Sequence, residues 1–144
     1  MSTEENKAKQ RRIWEEVLNQ GDLSVADEII PPNYVYHGPM GMEFKGPEGF
    51  KQIITMYRTA FPDIHITVDD MVAEGDKVVS RITARGTHKG ELMGIAPTGK
   101  QIIITGIYIS RYVGGKEVEV WASSDMLGMM QQLGVAPPMG QGGG

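Results

Sequence analysis

The sequence predicts an α+β domain, a cone-shaped, curved antiparallel sheet (an α+β barrel) with N-terminal helices covering its concave face. Three observations carry this. Apolar residues recur at helical spacing up to residue 61, and from Ile64 to Ser124 the period drops to two. The strand-like stretches are joined by hairpin-length turns, so helices come first and long antiparallel strands follow.

Ser2 and Glu5 have the spacing of a capping box. Behind them Ile13, Trp14, Val17 and Leu18 form a helical stripe that Gly21 stops. Asp22 caps a second short helix carrying Leu23, Val25, Ala26, Ile29 and Ile30, ended by Pro31-Pro32. Asn33 to His37 is a short strand closed by Gly38-Pro39. Gly46-Pro47 opens a third helix, with Phe50, Ile53, Ile54, Tyr57 and Phe61 on one face and Pro62 at its end. Ile64 to Val72 alternates as a strand, Glu74-Gly75-Asp76 turns, and Lys77 to His88 returns. Residues 89–99 form a Gly/Pro-rich loop, read as a rim or lid over the cone mouth. Lys100 to Val113 and Lys116 to Ser124 are a hairpin on Gly114-Gly115, and a last helix runs from about Asp125 to Leu133. Residues 1–134 make one domain, and residues 135–144 are a flexible Pro/Gly tail.

The chain has 144 residues, 40% hydrophobic and 22% charged, which fits one core and argues against disorder. Its formal charge of −4 comes without a basic stripe, so nucleic acid and anionic membrane are not expected partners. No apolar run approaches the roughly 20 residues of a spanning helix. The polar start, Met1-Ser2-Thr3-Glu4-Glu5, lacks the apolar core of a signal peptide, and a cytoplasmic location is expected. Without cysteine there is no disulfide, thiolate nucleophile or cysteine-ligated metal. The ten methionines read as core filler, with a flexible apolar pocket lining as the sharper alternative.

Pairing the last hairpin outward from Gly114-Gly115 at constant register sets Tyr108 opposite Trp121, Gly106 opposite Ser123 and Ile104 opposite Asp125. On that reading Trp121, Ser123 and Asp125 share the concave face with Gly106, Tyr108 and Ser110, and Asp125 meets an aromatic wall that raises its pKa. Asp125 then suits general acid/base work. The other reading is that Asp125 caps the last helix. By the same pairing Ile103, Ile107, Ile109, Val118 and Val120 form an apolar outer face, which predicts a homodimer.

Several short runs carry a family resemblance. They are Gly86-Thr87-His88, Gly90-Glu91-Leu92-Met93-Gly94, Pro97-Thr98-Gly99-Lys100, Gly115-Lys116 with Glu119 and Trp121, Asp125-Met126-Leu127-Gly128, and Gln131-Gln132-Leu133-Gly134. In this order they resemble the SnoaL-like polyketide cyclases, from about Trp14 to Gly134. The resemblance implies a cone of the nuclear-transport-factor type, dimeric through its sheet, that closes a ring by intramolecular aldol condensation without metal or cofactor. It implies Asp125 as the general acid/base. The family supports that aspartate with histidines from the same sheet face; Ser123, Gly106 and Tyr108 stand there here.

Beside Asp125, the candidate substrate-binding residues are Trp121, Tyr108, His37, Tyr57, Trp14 and His88. His37 either lines the pocket or sits on a surface turn. His88, at the edge of the long loop, suits a structural hydrogen bond. Tyr57 and Trp14 lie on core stripes, with polar tips that reach the cavity. Three histidines without close ligand spacing predict no metal site. Two functions remain: a cofactor-free enzyme acting on a small apolar or polyketide-like molecule, or a non-catalytic module of the same fold that binds such a ligand or serves as a dimeric scaffold.

Overall fold

The structure, a computed structural model, describes residues 2–136. Its elements are α1 (Thr3–Arg12), continued by a π-helical stretch (Ile13–Asn19), α2 (Val25–Ile29), β1 (Val35–His37), a 3₁₀ turn (Pro39–Gly41) and β2 (Glu43–Lys45). Then come α3 (Gly46–Ala60), β3 (His65–Glu74), β4 (Lys77–Thr87), β5 (Gln101–Val113), β6 (Lys116–Ser124) and α4 (Met126–Leu133). The strands form one six-stranded sheet in the order β2-β1-β6-β5-β4-β3. The sheet is curved and unclosed, and helices lie against its concave side: the α+β cone that the period change predicts.

Local chemistry sets the helix ends. Ser2 Oγ accepts from the Glu5 N–H at 3.1 Å while Glu5 Oε1 accepts from the Ser2 N–H at 3.2 Å, so the capping box is present. The π-helical turn keeps Ile13, Trp14, Val17 and Leu18 all buried. Gly134 ends α4 in the left-handed conformation at φ 80°, which favours glycine. No helix among the described residues is long and apolar enough to cross a membrane. The Pro/Gly tail from Pro137 onward lies outside the described residues.

Three features depart from the expectation. Strand β2 was not foreseen, because three residues carry too little periodicity. Strand β1 runs parallel to β6, with His37 beside Trp121, so the sheet is antiparallel except for that pair. The third departure matters most. Tyr112 pairs with Glu117 but Arg111 pairs with Glu119, which leaves Val118 as the extra residue of a β-bulge. Beyond it the pairing slips by one: Tyr108 faces Ala122, Ile109 faces Trp121 and Gly106 faces Ser124.

One slipped residue exchanges the faces of β6. Val120, expected outside, is 4% exposed and lies in the core, while Trp121, expected inside, is 38% exposed on the outer face. Val118 is buried as well. The outer face therefore carries Ile103, Ile107, Ile109 and Trp121 instead of the predicted set. Across it, Val72, Val79, Ile109, Trp121 and His37 are successive register partners on five strands.

Candidate functional site

Two adjoining pockets, the first and second lobes, lie between the helices and the concave face. Trp14, Leu18, Tyr57 and Tyr108 line both. The first lobe extends toward the hairpin end, past Tyr34, Tyr36, Phe50, Ser110, Glu117 and Val120. The second runs the other way, past Phe61, Ile66, Ile82, Ile104, Ser124 and Met129. Their empty space is about 470 and about 510 Å³, counting the part open to solvent.

The walls are apolar, with a sparse polar chain along them. Trp14 Nε1 donates to Ser80 Oγ at 3.1 Å, and its ring meets Tyr108 edge-on at 4.8 Å. The Tyr108 hydroxyl is hydrogen-bonded to those of Tyr36 and Ser124. Gly106 lies beneath the Tyr108 ring, where a Cβ would come within 3.0 Å of Cε1. Burial raises the pKa of Tyr34, Tyr36, Tyr57 and Tyr108, so these phenols stay protonated and act as hydrogen-bonding groups rather than bases.

The acid in this cavity is Glu117, which sequence reasoning missed. It is 2% exposed, hydrogen-bonded to Ser110, and lines the first lobe. Desolvation pushes its carboxyl up to about 7 against the lowering effect of the Ser110 hydroxyl. Next to it the Tyr112 hydroxyl donates to Gln10 Oε1 at 2.8 Å. Its pairing with buried Tyr112 puts it on the concave side, and the β-bulge that follows leaves Val118 buried beside it where strict alternation would expose one of the two. Glu117 and Glu119 look alike in an alternating run, and no residue between Lys116 and Trp121 marks the bulge.

The predicted residues separate into two groups. Trp14, Tyr57 and Tyr108 meet in the cavity. Trp121 and His37 do not: their rings stack at 5.8 Å and 21° on the outer face, because the slipped register turns Trp121 outward. There His37 Nε2 lies 2.7 Å from Glu119 Oε2, and Arg111 Nη2 is 3.3 Å from Glu119 Oε1. The His37 and Arg111 contacts hold the Glu119 carboxyl below its usual range. His88 is fully buried away from both lobes. Its Nδ1 accepts from the Thr98 N–H at 3.1 Å, the structural bond expected of it. Loop 89–99 is anchored by that bond, by buried Leu92 and by the Lys89 and Gly90 N–H groups donating to the Ala60 carbonyl. It contributes no residue to the lining of either lobe.

Asp125 stands at the junction of β6 and α4, between Ser124 and Met129 of the second lobe. Its carboxylate is exposed, and Oδ1 accepts from the Gly128 N–H at 2.8 Å, which is the helix-cap geometry. The aromatic wall predicted around it is absent, since Trp121 lies on the other face. Among the described residues no three His, Asp or Glu side chains are grouped to hold a metal.

Comparison with known proteins places this geometry. The family profile for SnoaL-like polyketide cyclases matches residues 8–133. The aklanonic acid methyl ester cyclase DnrD of Streptomyces peucetius is 30% identical over 116 residues, 80% of this chain and 78% of that one. The nogalonic acid methyl ester cyclase of Streptomyces nogalater is 28% identical over 129 residues, 87% of this chain and 95% of the other. Among solved structures, wild-type IdmH from Streptomyces antibioticus superposes with a TM-score of 0.77 at 36% identity, covering 90% of this chain and 99% of that chain. Family profile, related cyclases and shared cone agree, and the chain belongs to the SnoaL-like polyketide cyclase family.

Proposed function

We propose that this protein is a cofactor-independent cyclase that closes a ring in a polyketide-like ester by intramolecular aldol addition within the concave cavity. The observation that carries this reading is the two-lobed aromatic cavity in a chain whose curated relatives are ester cyclases. Excluding water around a mostly apolar substrate favours one folded conformer, which turns ring closure into a pre-oriented step. The chemistry needs one proton moved. A base takes it from the donor carbon, the carbanion forms a bond to the acceptor carbonyl carbon, and the new alkoxide takes a proton back. The product is an isomer of the substrate, with no leaving group and no oxidant. Asp125 has the family position for that work and stands beside the second lobe. In this reading its carboxylate leaves the Gly128 N–H to serve the reaction and returns to the cap afterwards.

The proposal separates catalysis from capping. Asp125→Asn retains cap capacity and removes the base, so turnover of aklanonic acid methyl ester should fall about a hundredfold or more with the melting temperature nearly unchanged. Asp125→Ala should lose turnover and also about 1 kcal/mol of stability. Gly128→Ala is a third probe: its Cβ would sit 2.1 Å from Asp125 Oδ2, so the carboxylate must leave the cap. It should lose stability while keeping turnover. Full turnover in Asp125→Asn would restrict the residue to capping.

In this reading the active form is a homodimer. Ile103, Ile107 and Val72 are each at least half exposed, and they flank Ile109 and Trp121 on one sheet face. Burying that contiguous apolar surface against a second copy removes it from water.

A further inference from the structure

The carboxyl group that lines the first lobe has no part in the proposed aldol step. Glu117 and Asp125 lie eight positions apart along β6 and its end, roughly 25 Å at the rise of a strand. One reacting carbonyl cannot touch both. Glu117 nevertheless lines the first lobe, at the opposite end from Ser124. Its register partner Tyr112 is buried on the same face, and burying an acid without a cation is unfavourable unless it stays neutral or meets a ligand.

We propose that Glu117 is a recognition site for a hydrogen-bond acceptor, the carbonyl oxygen of a flat polycyclic ketone or quinone whose far end enters the first lobe. The proposal rests on the cyclase reading only in supposing that the ring-closing end of such a ligand lies toward Asp125. Its chemistry follows from the surroundings. Tyr34 precedes β1, α1 presents Gln10, and β5 presents Ser110 and Tyr112; none of these carries a charge that would hold Glu117 ionised. A carboxyl in such a place holds its proton to higher pH than a free one, and while protonated it donates an O–H. Tyr36, Phe50 and Tyr57 supply flat apolar walls, so the ligand that fits is planar, apolar and tipped with an acceptor. A cationic ligand is the alternative occupant, and it would require ionised Glu117.

Three probes of one shape separate these cases: 9,10-anthraquinone, anthracene and 9-(aminomethyl)anthracene. Binding to the full chain is read by quenching of Trp14, which lines both lobes, in a Trp121→Phe background that removes the outer-face tryptophan. Anthraquinone affinity should fall about tenfold as pH rises through the Glu117 titration, while anthracene affinity stays flat. In Glu117→Gln, which still donates a hydrogen bond, anthraquinone should bind with no pH dependence. Equal pH profiles for anthraquinone and anthracene in the Trp121→Phe protein, absence of binding by either, or aminomethylanthracene affinity rising with pH would each overturn the assignment, and none of these depends on how Glu117→Gln folds. Turnover of aklanonic acid methyl ester, measured on the unsubstituted protein, reports on the cyclase reading separately. Turnover with a flat anthraquinone profile removes only the Glu117 site; a pH-dependent profile without turnover removes only the cyclase reading.

Discussion

Glu117→Gln is expected to stabilise the protein by about 3 kcal/mol at pH values above 8, and to change it little near pH 4. The folded-state carboxyl titrates at about 7 against 4.5 for the free group. A raised folded value means that the native state holds its proton more tightly than the unfolded chain. The stability linked to that proton is complete below 4.5 and is lost as pH rises through about 7. At about 1.4 kcal/mol per pH unit the gap is worth about 3 kcal/mol, and glutamine, which cannot ionise, avoids the loss. Urea denaturation of the two proteins across pH 4 to 9 checks this. Wild-type stability should decline between those two values and the variant should be flat there; parallel curves would mean that Glu117 titrates normally.

Ile107→Glu is expected to convert a dimer into a monomer without unfolding it. Ile107 is 50% exposed on the outer face, so the change should cost the isolated chain little. Its register partners are Arg81 on β4 and Ser123 on β6, and the strip holding Ile109 and Trp121 lies two residues along. A carboxylate introduced there, with Arg81 opposite it, must be desolvated in any interface that buries the strip, and burying such a pair in place of an apolar contact is unfavourable. Sedimentation at micromolar concentration should give twice the chain mass for wild type and one chain mass for the variant, with the same circular dichroism. A monomeric wild type would remove the assembly from the proposal.

The fold was legible because its main signals are local. Capping residues, helical stripes, the glycine turns and the period change each depend on neighbours in sequence, and the structure places α1, α3, β3 to β6 and α4 close to where these signals put them. Non-local pairing carried no such mark. The parallel contact of Val35–His37 with β6 joins residues more than eighty positions apart, and nothing in three residues specifies it. The site was partly legible: Trp14, Tyr57 and Tyr108 sit on helical and strand stripes that point inward whatever the hairpin register. Glu117 was passed over although its pairing with Tyr112 is the one a constant register gives, whereas Trp121 was misread for one reason. A one-residue bulge at Val118 leaves the composition and nearly all of the alternation of β6 intact, yet it exchanges the faces beyond it. His37 followed Trp121 outward because the two are register neighbours.

The most direct measurement of the central claim is incubation of the purified chain with aklanonic acid methyl ester, followed by chromatography with mass detection. An aldol cyclase should convert the ester, over many turnovers and without added metal or cofactor, into a product of unchanged mass and different retention, and Asp125→Asn should slow that conversion about a hundredfold or more. Tight binding of the ester with no isomer formed above the uncatalysed rate would contradict the account and make the protein a binding module of the same fold.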